Sequence, residues 1–418
     1  MKVTVIGGGS TYTPELIEGL SLWNLHGGPD EVVLHDIFPD RLEVVSGFSA
    51  RMAARLNSGL KVTAEPDFRT AIDGADFVVF QIRVGGQKER HEDIRMGLDL
   101  GIIGQETTGV GGFAKALRTI PAVLEMARAI RDHNPNAWII NFTNPSGIVT
   151  EAIIRFATTR CVGLCNVPKE FQMDVARHLR MEADKVRLDW VGLNHLGWAR
   201  RIFVDGRDVL PQLVESLSGD YGPQNIPDLD YPKGFLSALR MIPSSYVRYY
   251  YLPDRMLEEL QQRPQTRAED VMDIEEQLLD YYKDQSNCDK PMALSERGGA
   301  WYSRIAVEVM ESLSSSTPKN LIVNTLNLGT IDGLPGDASI EVPAEVSTKG
   351  IAPIHIGEVE ECIMGLIRQV KSYERLAIAA AVSRDKDKAL MALMANPLVP
   401  SADKAIEVLK RLQIRDLI

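Results

Sequence analysis

The amino terminus sets the strongest limit on the fold. Residues 2–6 (KVTVI) alternate and are rich in β-branched side chains, which reads as a strand. The turn Gly7-Gly8-Gly9-Ser10-Thr11 follows at once. Thr13-Pro14 then supplies an N-cap and a first helical position, and residues 15–25 continue the helix. Residues 31–35 read as a second strand with Asp36 at its end. This is the βαβ order of a Rossmann unit. Glycines let the chain turn tightly, so a pyrophosphate can approach the N–H groups at the helix start. A carboxylate after the second strand accepts both ribose hydroxyls, which favours NAD over NADP. Gly7, Gly9, Ser10, Thr11 and Asp36 are therefore the candidate cofactor residues. The third glycine position holds Tyr12, and a tight turn without a ligand is the alternative reading. Arg41 lies just after Asp36, joins the candidates, and leaves NADP open.

Further strands are expected over residues 77–82, 137–142 and 161–164. In a parallel sheet, ligand-facing groups gather at the carboxyl ends of strands. Those ends carry Arg83-Val84-Gly85-Gly86, Thr143-Asn144-Pro145-Ser146 and Cys165-Asn166-Val167-Pro168, so an arginine, several amides and a thiol converge on one edge. At 418 residues the chain is long enough for about two domains. The expectation is an α/β protein: a Rossmann domain over 1–165, then a mixed α/β substrate domain over 166–418. Helices are expected over 358–380 and 385–395 by periodicity.

The balance of 46 basic against 57 acidic residues, net −11, argues against nucleic acid as a partner. No run is apolar enough for a membrane span, and the first residues lack the pattern of a secretory signal. Four cysteines make no disulfide framework, so a cytoplasmic setting is expected.

Three further stretches carry candidate chemistry. Residues 104–112 form a polar, glycine-rich loop around Glu106, open to a sugar or cofactor ring or simply a surface loop. Cys165 and His195 each end an apolar run beside an Asn. Taken singly, each reads as a core residue; their matched setting makes a divalent-metal pair a competing reading, with open positions for substrate and water. Tyr246, Tyr249 and Tyr250 share a helical face, as an aromatic core stripe or as phenols near a cation, one of which acts as a base. Arg267 begins a helix-like run over 267–282, where a lone arginine is ordinarily solvated.

The segments GGGSTYTPEL, QIRVGG, GIIGQETTGVGGFAKALRTIP, NFTNPSG, GLCNVP, VGLNHLGW, PSSYVRYYY, SERGGAWYS and VNTLNLGTIDGLP together resemble glycoside hydrolase family 4. The Cys165-Asn166-Val167-Pro168 form resembles the branch that acts on 6-phospho-β-glucosides. The resemblance implies a fold like that of lactate and malate dehydrogenases. It also implies a route outside the two-carboxylate rule of glycosidases. NAD oxidises C3 of the sugar, a base removes the C2 proton, the aglycone leaves by β-elimination, water adds, and C3 is reduced again. It implies Mn²⁺ or another divalent metal on Cys165 and His195, and Tyr246 as the base, with Tyr249 and Tyr250 in reserve. Arg83, Asn144 and Arg267 match positions that grip the 6-phosphate, Asn166 and Glu106 contact the sugar or the metal shell, and Asn141 sits near the cofactor. Asn166 cannot serve as a general acid. The implied partners are a phosphorylated disaccharide or aryl glucoside and further copies of the chain, as homodimer or homotetramer. Ala344 stands where many relatives carry a cysteine. The rivals are a family member acting on α-linked or unphosphorylated sugars, an NAD-dependent 2-hydroxy-acid dehydrogenase, and a non-catalytic NAD sensor.

Overall fold

The computed structural model describes residues 1–217, 231–232, 234–297 and 301–418. Residues 298–300 of the SERGGAWYS segment thus lie outside the described residues. One wing of the larger sheet is β1 (Lys2–Ile6), β2 (Glu31–His35) and β3 (Lys61–Ala64); the other is β4 (Phe77–Phe80), β5 (Trp138–Asn141) and β6 (Cys161–Gly163). These six run parallel in the order β3-β2-β1-β4-β5-β6. The chain reverses direction across the sheet between β1 and β4, which opens a crevice at their carboxyl ends. A smaller antiparallel sheet holds β7 (Val186–Leu193), β8 (Leu196–Val204), β9 (Arg207–Asp208) and β10 (Ile242–Pro243). Then β11 (Lys319–Leu326), β12 (Ser339–Ser347) and β13 (Gly350–Pro353) return to the first sheet. They run antiparallel, Asn324 of β11 beside Gly163 of β6, and bring that sheet to nine strands.

The sequence of β4 explains its place. Phe77 and Val79 pack on one face with Val3, Val5 and Leu16; Val78 and Phe80 pack on the other with Ile6, Val123 and Ile139. A parallel strand covered on both faces is an unbroken apolar run rather than an alternating one. The first helix begins one residue earlier than expected, with Tyr12 at the N-cap and the helix over Thr13–Asn24. Thr13 Oγ1 donates to Gly8 O at 2.9 Å, so this hydroxyl secures the turn instead of capping the helix. The helices expected near the carboxyl terminus run over Glu361–Ser383 and Lys386–Ala395.

The helix Glu361–Ser383 is tied to Ser146–Phe156 by buried charge. Lys371 Nζ donates to Glu151 Oε2 at 2.9 Å and pairs with Glu374. Glu151 Oε2 also accepts from the Ser339 N–H of β12 at 2.9 Å. Removing the cation leaves Glu374 buried without its ion-pair partner, while Glu151 keeps Arg155 and Arg375 at 3.3 and 3.4 Å. Uncovering one buried carboxylate costs about 3–5 kcal/mol. Lys371→Met should lower the free energy of denaturant unfolding by about that amount; a loss below about 1 kcal/mol would show that the triad does not hold the helix.

Candidate active site

A cleft of about 930 Å³ opens at the carboxyl ends of β1, β4 and β5. Gly7, Gly9, Ser10, Asp36 and Arg41 line one end. Gly7 sits at φ +89°, and a Cβ there would lie 2.9 Å from Gln81 O. The Gly9 N–H donates to Asp36 Oδ2 at 2.9 Å, and a Cβ on Gly9 would strike the same oxygen. The glycines thus press the turn against β2 and β4 and leave the helix start facing the cleft. Asp36 keeps lone-pair capacity for ribose hydroxyls beyond the N–H groups of Gly9 and Phe38 that it accepts. Tyr12, at the third glycine position, lines the cleft and packs edge-on against Tyr302, centroids 6.2 Å apart. These features fit a dinucleotide.

At the other end, Asn194 and His195 are the two-residue turn between β7 and β8, with His195 at φ 60°. The His195 ring stacks on Tyr246, centroids 3.9 Å apart and planes 7° from parallel. Burial lowers the imidazole to about 3, so it is neutral, and its buried Nδ1 has no hydrogen-bond partner. Cys165 is buried just past β6; burial, reinforced by Glu341, pushes its thiol well up. The Asn194 side chain hydrogen-bonds this thiol and donates to Glu341 Oε1 at 3.1 Å. Glu341 also accepts from Trp190 Nε1 and Asn324 Nδ2, each at 3.1 Å. Burial raises Glu341 to about 7. An orphaned neutral imidazole with a thiol fits a borderline divalent ion. Among the described residues no group of three or more His, Cys, Asp or Glu could hold a metal. A Cys165–His195 pair would therefore leave positions open to substrate and water.

Between the two ends lies a charge cluster. Glu106 Oε2 accepts from Arg83 Nη1 at 2.7 Å, Oε1 accepts from Arg90 Nη2 at 2.5 Å, and Lys115 Nζ lies 3.5 Å away. Burial works to raise the Glu106 carboxyl, but Arg90, Arg83 and Lys115 hold it well below the usual carboxylate range. Three cations around one carboxylate leave net positive charge, suited to a phosphate. Arg267 lines the cleft while donating to the carbonyls of Glu296 and Arg297 at 2.9 and 3.1 Å. Asn144 also lines it, with a buried Oδ1 that has no partner. Asn166 sits in the cleft at the N-cap of the helix Val167–His178.

The cleft thus gathers Gly7, Gly9, Ser10, Asp36, Arg41, Arg83, Glu106, Asn144, Asn166, His195, Tyr246 and Arg267. Cys165, Thr11 and Asn141 do not line it. Thr11 lies beneath the turn, where its Oγ1 accepts from Arg297 Nε at 2.6 Å. Asn141 is fully buried and organises the turn after β5, donating to Thr150 Oγ1 at 3.0 Å and accepting from the Thr143 N–H at 3.0 Å. Tyr249 lines the cleft, whereas Tyr250 packs against the helical core. Sequence reasoning missed Arg90, Lys115, Glu275 and Arg297. Lys115 left a signal: it is the one charge in the apolar stretch VGGFAKAL.

Residues 2–181 match the model of the family 4 glycosyl hydrolases, and residues 190–399 match the model of the family 4 glycosyl hydrolase C-terminal domain. The chain is 40% identical to a Bacillus subtilis (strain 168) protein named "Probable 6-phospho-beta-glucosidase", over 98% of this chain and 95% of that protein. It superposes on the Thermotoga maritima 6-phospho-beta glucosidase with NAD and glucose-6-phosphate at a TM-score of 0.92 and 37% identity, over 100% of this chain and 99% of that one. A form of that enzyme with manganese, NAD⁺ and glucose-6-phosphate gives 0.91 and 36%, with the same coverage. An Eimeria maxima lactate dehydrogenase, 16% identical over 92% of this chain and 96% of that one, shares the fold at a TM-score of 0.54.

Burial, aided by Arg83, lowers Lys115 from 10.5 to about 7. Between these values the unfolded chain binds the proton more strongly, so the folded state gains on it as pH rises. The unfolding free energy of the wild type minus that of Lys115→Met should therefore climb from pH 7 toward 10.5. A flat difference in denaturant titrations would show that Lys115 is not held out of water.

Proposed function

The chain belongs to glycosyl hydrolase family 4, and from that membership we propose that it is a 6-phospho-β-glucosidase. It hydrolyses 6-phospho-β-glucosides, such as cellobiose 6-phosphate, to glucose 6-phosphate. The observation that carries this reading is a single cleft that joins a dinucleotide turn, His195 stacked on Tyr246, and an arginine cluster, with the Cys165 thiol buried behind it near Tyr246.

When bound, NAD supplies reversible oxidation at C3 of the sugar, and Mn²⁺ or another divalent ion supplies a Lewis acid for the neighbouring oxygens. The N–H groups of the glycine turn hold the pyrophosphate, and Asp36 orients the ribose. Cys165 and His195 hold the cation, with Asn194 fixing the thiol. Arg83, Arg90, Arg267 and the Asn144 amide N–H₂ grip the 6-phosphate, which leaves the Asn144 amide oxygen to accept from a sugar hydroxyl. Tyr246 Oη takes the C2 proton. Burial and then Glu106 push this phenol up, while Arg90 works against them. Its readiness as a base therefore depends on Glu106 staying neutralised by Arg83, Arg90 and Lys115.

A division at residue 165 is supported by what each part brings to the cleft: residues 1–165 carry the cofactor turn with Arg83, Glu106 and Asn144, and residues 166–418 carry His195, Tyr246 and Arg267. A homodimer or homotetramer is supported by Val382, Met391, Met394 and Ile406, exposed on the carboxyl-terminal helices. A cytoplasmic setting is supported by four free cysteines.

Release of p-nitrophenol from its β-glucoside 6-phosphate should require both NAD⁺ and Mn²⁺ and accumulate no NADH. Release from the α-linked or unphosphorylated glucoside instead would overturn the substrate class. Steady NADH production from a hydroxy acid would replace the reading with a dehydrogenase. Tyr246→Phe should slow exchange of the C2 proton with solvent deuterium by about 10²–10⁴-fold while substrate still binds; normal exchange would move the base elsewhere. Cys165→Ser should abolish metal-dependent turnover and leave NAD⁺ affinity intact; undiminished turnover would remove the metal role.

A further inference from the structure

Glu275, on the helix Arg267–Lys283, reaches across the cleft to the cofactor end. Its Oε1 accepts from Arg297 Nη2 at 2.9 Å and from Gln87 Nε2 at 3.1 Å. Its Oε2 accepts from Arg41 Nη2 at 3.2 Å. Arg297 is itself anchored on Thr11 Oγ1 at 2.6 Å and Ser10 Oγ at 3.4 Å. Two donors thus fix one oxygen and aim the other at Arg41. Arg41 Nε meanwhile donates to Gly9 O at 3.2 Å, the residue whose N–H holds Asp36. Arg41 and Asp36 therefore flank the same glycine, yet the guanidinium is committed to Glu275.

A dinucleotide bearing a 2′-phosphate brings extra negative charge to the ribose site, and an arginine near the second-strand carboxylate is what accommodates it. We propose that Glu275 determines which dinucleotide the chain accepts: by holding Arg41 on its own carboxylate, it withholds the cation that a 2′-phosphate needs. This rests on the reading that NAD binds in the cleft and adds the residue that excludes NADP. Asp36 by itself repels the 2′-phosphate; Glu275 ensures that nothing nearby offsets that repulsion. The pair is only partly buried, the Arg41 side chain being 37% exposed and that of Glu275 11%, so the expected effect is modest.

The test is a fluorescence titration of the full chain with NADH and NADPH, without sugar or metal. The wild type should favour NADH. In Glu275→Gln the ratio of the NADPH to the NADH dissociation constant should fall by about fivefold, the scale of one partly exposed ion pair. The double variant Glu275→Gln/Arg41→Ala should restore it. Any looser hold of Arg297 on the glycine turn acts on both dinucleotides alike and cancels in the ratio. An unchanged ratio in Glu275→Gln, or a fall that persists without Arg41, overturns the inference while the NAD reading stands. A wild type that binds neither dinucleotide brings down both.

Discussion

The buried carboxylate of Glu341 is the point on which the geometry of the site depends. It lies on β12 of the large sheet and accepts from Trp190 on β7, Asn194 at the β7–β8 turn and Asn324 on β11. An isolated buried carboxylate is costly, and three neutral donors offset that cost only where all of them converge. The convergence fixes how the small sheet lies on the large one. It also fixes Asn194, whose amide meets the Cys165 thiol and whose Oδ1 accepts from the Gly147 N–H at 3.3 Å. One carboxylate therefore sets the distance between a residue that follows a parallel strand and one that turns an antiparallel hairpin.

The same principle, a buried charge satisfied by several partners, recurs on the other side of the cleft. Glu106 gathers Arg83, Arg90 and Lys115, and Glu275 gathers Arg41, Gln87 and Arg297. The two clusters differ in surplus. Around Glu106 more cations meet the carboxylate than it can neutralise, so the surface still attracts an anion. Glu275 holds its partners in place at the turn. Field and position are thus handled by separate acids.

Much of this was legible in the sequence where the determinants are local. Residues 2–36 declare themselves through a strand, a glycine turn, a helix and an acid in immediate succession, and the structure has them so. Arg83, Asn144 and Asn166 were legible because the ends of parallel strands point one way. A metal role for Cys165 and His195 was not legible from spacing, since one follows a strand of the large sheet and the other turns a hairpin of the small one. Their matched setting beside an Asn raised it only as a competing reading, and the family resemblance implied it. Arg90 and Glu275 escaped notice because a charged residue on a helix looks solvated until its tertiary neighbours are known. The return of residues 319–353 to the first sheet was equally hidden, because nothing near Lys319 in the chain names β6 as its partner.

That return has a consequence for synthesis on the ribosome. When β6 has just been made, it is the edge of an incomplete sheet, with unpaired N–H and C=O groups along one side. The strand that covers it, β11, is made only after the small sheet and most of the cleft's far wall. Domains ordinarily fold in order as they emerge, the first closing before the second begins. Here the nascent dinucleotide half must wait with an open edge until Lys319–Leu326 arrives, and the seam that seals it runs beside Cys165.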